Sequence, residues 1–135
     1  MMRTLLEMKK QGKLCNADGS EGVRLVYIDP PFATKQEFRG TQDQKAYQDK
    51  LAGALFIEFL RKRLVLIRQL LSPNGTVYIH LDLRRIHYVK VITDELLGET
   101  NFLSEIIWKS TSAHSDAKRV GAIHQTLLVY AFASI

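Results

Sequence analysis

Val23-Arg24-Leu25-Val26-Tyr27-Ile28, followed at once by Asp29-Pro30-Pro31-Phe32, decides how this chain is read. The first six residues are mostly apolar with little alternation, the pattern of a strand buried on both faces in a parallel sheet. The next four put a carboxylate, two rigid residues and an aromatic ring at the strand's exit. Such a group suits a flat, amine-bearing base. The ring of Phe32 can stack on it, and Asp29 with the Pro30 carbonyl can accept hydrogen bonds from its amino group. Proline's fixed φ restricts how far those acceptors move. The plainer alternative is a stop signal, since proline cannot continue a central ladder and aspartate favours turns.

Working outward, the order of elements supports a crevice at that exit. Thr4 to Lys13 reads as a short helix ending near Gly12, and residues 16–22 as a turn-rich loop. Residues 33–50 are polar and read as a mobile surface segment. From Ala54 to Leu71 the period becomes helical: Leu55, Phe59, Leu66 and Leu70 mark a stripe that Phe56, Leu60, Leu64 and Ile67 widen. Arg61-Lys62-Arg63 falls largely off that stripe as a solvated face. Ser72-Pro73-Asn74-Gly75 ends the helix and turns the chain into a second strand, Thr76–Asp82. A second helix, Arg85–Leu97, closes at Gly98, and strands follow at Asn101–Trp108 and Gln125–Phe132. Strand, helix, strand, helix, strand is the order of βαβ units, whose ligands sit at the strands' carboxyl ends. Asp29, Asp82 and Lys109 all fall at or just past such ends. The last two strands need no helix between them and can pair antiparallel.

Composition sets bounds. The 135 residues make one domain or part of one, with 46% hydrophobic and 24% charged residues, ordinary for a globular protein. A formal charge of +5 and a pI near 9.4 suit a polyanionic partner. Cys15 stands alone, so an internal disulfide is excluded and a reducing cytoplasm is the expected location. No apolar run approaches the roughly 18 residues of a membrane span. His114 and His124 are not at metal-ligand spacing, and no metal is expected.

Beyond Val26–Phe32, an ordered set of stretches carries a resemblance. It comprises Tyr47-Gln48-Asp49, Phe59 to Leu64, Leu70 to Gly75, Tyr78 to Asp82, Asp94 to Gly98, Asn101-Phe102, Glu105 to Lys109, Thr111 to Asp116, and His124 with Tyr130. With them the chain resembles the site-specific amino-group DNA methyltransferases, in particular the adenine-specific permuted class that includes type III modification subunits. The resemblance implies a partial Rossmann-like α/β methyltransferase domain over residues 1–135, its sheet mostly parallel with an antiparallel final pair. It also implies S-adenosylmethionine as cofactor, DNA as substrate, a restriction endonuclease as partner, and a homodimer.

Carried over residue by residue, Asp29 and the Pro30 carbonyl accept the two amine protons of a flipped base. Pro31 stiffens the turn and Phe32 stacks. Asp29 is also the candidate contact to the cofactor. Lys35, Lys109, His114, Lys118 and Arg119 are the candidate DNA contacts, to phosphate and so independent of sequence. Asp rather than Ser before the two prolines favours adenine over cytosine. Asp82 has two readings, cofactor pocket or helix cap, and the cap is favoured. Trp108 reads as core.

The family's glycine-rich cofactor loop has no counterpart here, because no Gly-x-Gly occurs. The expectation is a catalytic-region piece of a longer enzyme, inactive alone. The alternatives are a cytosine amino-group methyltransferase, a DNA-binding remnant without chemistry, and an enzyme acting on RNA or another amine.

Overall fold

The computed structural model describes residues 1–30, 42–109 and 123–132, with side chains from residue 53 onward in the middle segment. Helix α1 (Met2–Lys10) leads to strand β1 (Val23–Ile28), then helix α2 (Gln42–Leu70) and strand β2 (Leu71–Leu81). Helix α3 (Ile86–Leu97) and a short 3₁₀ turn precede strands β3 (Phe102–Lys109) and β4 (His124–Ala131). The strand order is β1-β2-β4-β3. β1 and β2 are parallel, while β4 is antiparallel to both β2 and β3. The expected parallel pair and antiparallel final pair are both present. Because β4 inserts between β2 and β3, the sheet is mixed, with a smaller parallel share than the sequence suggested.

The core lies on one face of this sheet. Val77, Ile79 and Leu81 of β2 and Thr126, Leu128 and Tyr130 of β4 alternate inward and are buried. Phe56, Leu60, Leu64 and Ile67 of α2 meet them, together with Ile86, Val89 and Leu97 of α3. The α2 stripe is therefore centred on Phe56, Leu60, Leu64 and Ile67, whereas Leu55 and Phe59 are exposed. Thr93 is buried in α3 and donates its hydroxyl hydrogen to the Val89 carbonyl at 2.6 Å, which removes the penalty of burying it. Lys9 of α1 donates to the carbonyls of Gln69 and Leu71. A cation there satisfies the orphan carbonyls at the C-terminus of α2 and opposes its dipole.

Two glycines are dictated by the backbone. Gly22 has φ +110, and a Cβ there would lie 2.6 Å from the Leu70 carbonyl oxygen, so only glycine lets β1 start beside the α2–β2 junction. Gly98, with φ +91, ends α3 where the sequence placed its end.

Several boundaries differ from the sequence reading. α2 begins at Gln42, so residues 42–50 are helical rather than loop. α1 runs from Met2 to Lys10 and so stops two residues before Gly12, near which the sequence ended it. Ser72–Gly75 does not turn the chain before β2 but lies inside it as an irregularity. Val23 pairs with Leu71 and Leu25 with Thr76, so two steps along β1 are matched by five along β2.

β1 is not buried on both faces. Leu25 and Tyr27 of β1, with Ile106 and Trp108 of β3, are between 41 and 61% exposed. Together with Tyr78, His80, Leu127 and the buried Val129 they form the sheet face opposite the helices, exposed mainly along its β1 and β3 edges. Trp108 is consequently not core.

Candidate active site

β1 and β2 run in parallel with Ile28 opposite Ile79, so the chain leaves the sheet at Asp29 beside His80. Asp29 is exposed at this rim and Pro30 is buried behind it. An exposed carboxylate is thus followed directly by a buried proline at the exit of β1. Pro31, Phe32 and Lys35 lie outside the described residues, as do His114, Lys118 and Arg119.

β3 runs in the same direction as β1 and β2, because β4 is antiparallel to both of its neighbours. Lys109, the exposed last residue of β3, therefore stands on the same rim as Asp29. The strand order puts three strand spacings between them, about 14 Å at ~4.8 Å each. Lys109 therefore shares the rim with Asp29 but stands at the opposite edge of the sheet.

Asp82 follows β2 at the same rim. Its Oδ1 accepts from the Arg84 backbone N–H at 3.1 Å and its Oδ2 from Arg84 Nε at 2.6 Å. Its carbonyl accepts from the N–H groups of Arg85 and Ile86. The helix's N-cap position is Arg85, which makes no side-chain capping bond. Asp82 nevertheless makes the bonds of a cap, as the sequence reading favoured, at the turn just ahead of α3: its carboxylate takes the N–H two residues on and its carbonyl the N–H of Ile86.

Sequence reading did not single out the pair Tyr27–His80. The Tyr27 hydroxyl lies 2.9 Å from His80 Nδ1, with the rings edge to face at 6.3 Å. His80 Nε2 is buried without a hydrogen-bond partner. The signal lay in the alternation Tyr78-Ile79-His80-Leu81, which puts His80 on the same face as Tyr27 once the parallel register is known. This bond ties the last turn of β1 to β2 directly behind Asp29. Tyr27→Phe is expected to cost about 1 kcal/mol, read as a lower urea midpoint at unchanged slope. Among the described residues no group of three His, Cys, Asp or Glu side chains could hold a metal ion.

Comparison with known proteins decides the family. Residues 23–133 match the DNA methylase family. The chain belongs to that family. It is 35% identical over 96 residues to the type II methyltransferase M.EcaI of Enterobacter cloacae, covering 71% of this chain and 21% of that protein. It is 26% identical over 135 residues to the Mod subunit of the type III restriction-modification enzyme EcoP15I of Escherichia coli, covering 82% of this chain and 21% of that subunit.

The chain thus spans about a fifth of the length of these curated relatives. Among solved structures, the DNA modification methylase TTHA0409 of Thermus thermophilus superposes with a TM-score of 0.58 at 18% identity, over 99% of this chain and 52% of that one. A complex of M1.HpyAVI with SAM superposes at 0.53 and 16%, over 96% of this chain and 49% of that one. These likenesses show the methyltransferase fold. Among the described residues no helix is long and apolar enough to cross a membrane.

Proposed function

We propose that this chain carries the amine-binding part of a DNA methyltransferase that moves a methyl group from S-adenosylmethionine to the exocyclic amine of adenine. The observation that supports this best is Asp29 exposed at the exit of β1 with Pro30 packed behind it, in a chain of the DNA methylase family. The likeness to type III Mod subunits favours adenine. It also makes a restriction endonuclease the expected protein partner, a homodimer the expected assembly, and the cytoplasm the place of action.

The chemistry asks little of the protein besides position. The target base must leave the duplex, because its amine is out of reach inside it, at a cost of a few kcal/mol. Asp29 and the Pro30 carbonyl accept the two N–H groups. This orients the nitrogen lone pair outward and stabilises the positive charge that develops as nitrogen is alkylated. Phe32 stacks on the ring, worth about 1–3 kcal/mol. Once the new N–C bond has formed, the nitrogen sheds one proton, for which Asp29 is the adjacent acceptor. S-adenosylmethionine, when bound, supplies an electrophilic methyl on sulfonium. The rim at Asp29 fits its neighbourhood, since the carboxylate is open to solvent and to a ligand approaching along the strand ends. No covalent enzyme intermediate is required, and the exposed Cys15 sits in a loop before β1.

Nucleoside analysis of DNA methylated by the enzyme tests the choice of base. The expected product is N6-methyladenine. N4-methylcytosine alone would transfer the reading to the cytosine amine, and a labelled RNA with unlabelled DNA would overturn it.

A further inference from the structure

Arg84 and Arg85 are neighbours at the rim, but they are held differently. Arg84 is committed to Asp82 through both its backbone N–H and its guanidinium. Arg85 has no carboxylate within ion-pair distance among the described residues. Its guanidinium instead lies against α2 at Gly53, where a Cβ would meet Nη1 at 2.6 Å and Cζ and Nη2 at 3.1 Å.

This arrangement is costly to the fold. A glycine inside a helix is less favourable than alanine. A basic residue at the N-cap position of α3 also runs against the preference of that helix end for negative charge. Neither cost is offset by an ion pair. Both become intelligible if the guanidinium is kept where an incoming anion needs it. Leu81 ends β2 four residues earlier, so Arg85 stands at the same carboxyl-end rim as Asp29. An arginine held by packing rather than by a carboxylate keeps its planar set of donors for phosphate.

We infer that Arg85, seated on Gly53, is a phosphate contact for duplex DNA beside the amine pocket. This rests on the DNA reading above. The contact positions the duplex and reads no sequence.

The test is the salt dependence of binding by this chain to a fluorescein-labelled duplex, followed by anisotropy. Arg85→Gln is expected to weaken binding about three- to tenfold and to reduce the slope of log affinity against log salt by about 1. Gly53→Ala retains every charge and removes a helix-interior glycine. It is expected to keep or raise Tm while weakening binding, because the new methyl displaces the guanidinium. Arg24→Gln, at the amino end of β1, serves as control and should leave the slope unchanged. An unchanged slope in Arg85→Gln, or unchanged affinity in a stabilised Gly53→Ala, overturns the inference while leaving the methyltransferase reading intact. Preference for single-stranded RNA over duplex, or no duplex binding by the unaltered chain, overturns it as well. The methyltransferase reading is judged separately, by product analysis.

Discussion

Asp29→Ala is expected to reduce methyl transfer at least about a thousandfold while leaving DNA affinity within about threefold. In the proposed reaction the carboxylate acts mainly as the methyl transfer proceeds. In the ground state it accepts one hydrogen bond from a neutral amine, whereas in the transition state that nitrogen carries developing positive charge. Loss of one preorganised electrostatic partner typically costs about 10²–10³ in rate. In the proposed reaction Asp29 also orients the nucleophile and takes its proton, so the effect should lie at or beyond the upper end. A thousandfold corresponds to about 4 kcal/mol of barrier. Folding should be unaffected, because Asp29 is exposed and follows the last paired residue of β1. Rate and affinity measured on one preparation, with circular dichroism for the fold, check this. Asp29→Asn keeps an acceptor without the charge and should fall between the two.

The second large effect concerns stability. Asp94 of α3 accepts from Lys90 Nζ at 2.8 and 2.7 Å and from the Tyr130 hydroxyl at 2.6 Å. Tyr130 is fully buried in β4, and Lys90 lies 4.0 Å above the Phe102 ring. One carboxylate thus pins α3 to β4 and leads into β3. Asp94→Ala strands a cation and a buried hydroxyl together, and we expect a loss of about 2–3 kcal/mol. That corresponds to a fall in Tm of about 10 °C for a domain of this size.

The same cluster predicts the pH dependence. Burial pushes the Asp94 carboxyl up, but the hydrogen bonds from Lys90 and Tyr130 and the Lys90 charge outweigh it, so it stays below its ordinary value of 3.8. Its stabilisation is therefore present above about pH 4 and lost as pH falls further. Burial, followed by the hydrogen bond to Asp94, raises the Tyr130 phenol above its ordinary 10.0. That contribution is intact below pH 10 and lost as pH rises beyond it. Tyr130→Phe should flatten the alkaline limb of a stability profile and leave the acid limb largely in place.

Much of this was legible in the chain, for identifiable reasons. β1 was found residue for residue because an apolar run ends abruptly at Asp29-Pro30, and α3 because its inward residues repeat at helical spacing up to Gly98. The first two turns of α2 were missed because Gln42 to Lys50 favours helix by propensity but offers little apolar period. The start of β2 was hidden by Ser72-Pro73-Asn74-Gly75. Those residues have turn chemistry, yet they belong to a strand because Leu71 already pairs with Val23. The place of β4 between β2 and β3 is a tertiary choice that no local pattern encodes.

The site divides in the same way. Asp29 is exposed and Pro30 buried at the exit of β1, and Lys109 shares that rim at the opposite edge of the sheet. Lys90 and Asp94 are spaced for an i, i+4 pair and could have been read. Their partner Tyr130, 36 residues from Asp94, could not. Nor could Tyr27–His80 or Arg85–Gly53, which depend on the register of β1 against β2 and on how α3 enters beside α2.

Methyl transfer from labelled S-adenosylmethionine to unmethylated, adenine-rich duplex DNA is the most direct test of the central claim. It should be run with this chain, with a longer form supplying the further region its relatives possess, and with Asp29→Ala in both. The account predicts label in the DNA from the longer chain, little or none from the 135 residues alone, and none once Asp29 is replaced. Transfer at an undiminished rate with Asp29→Ala would contradict it.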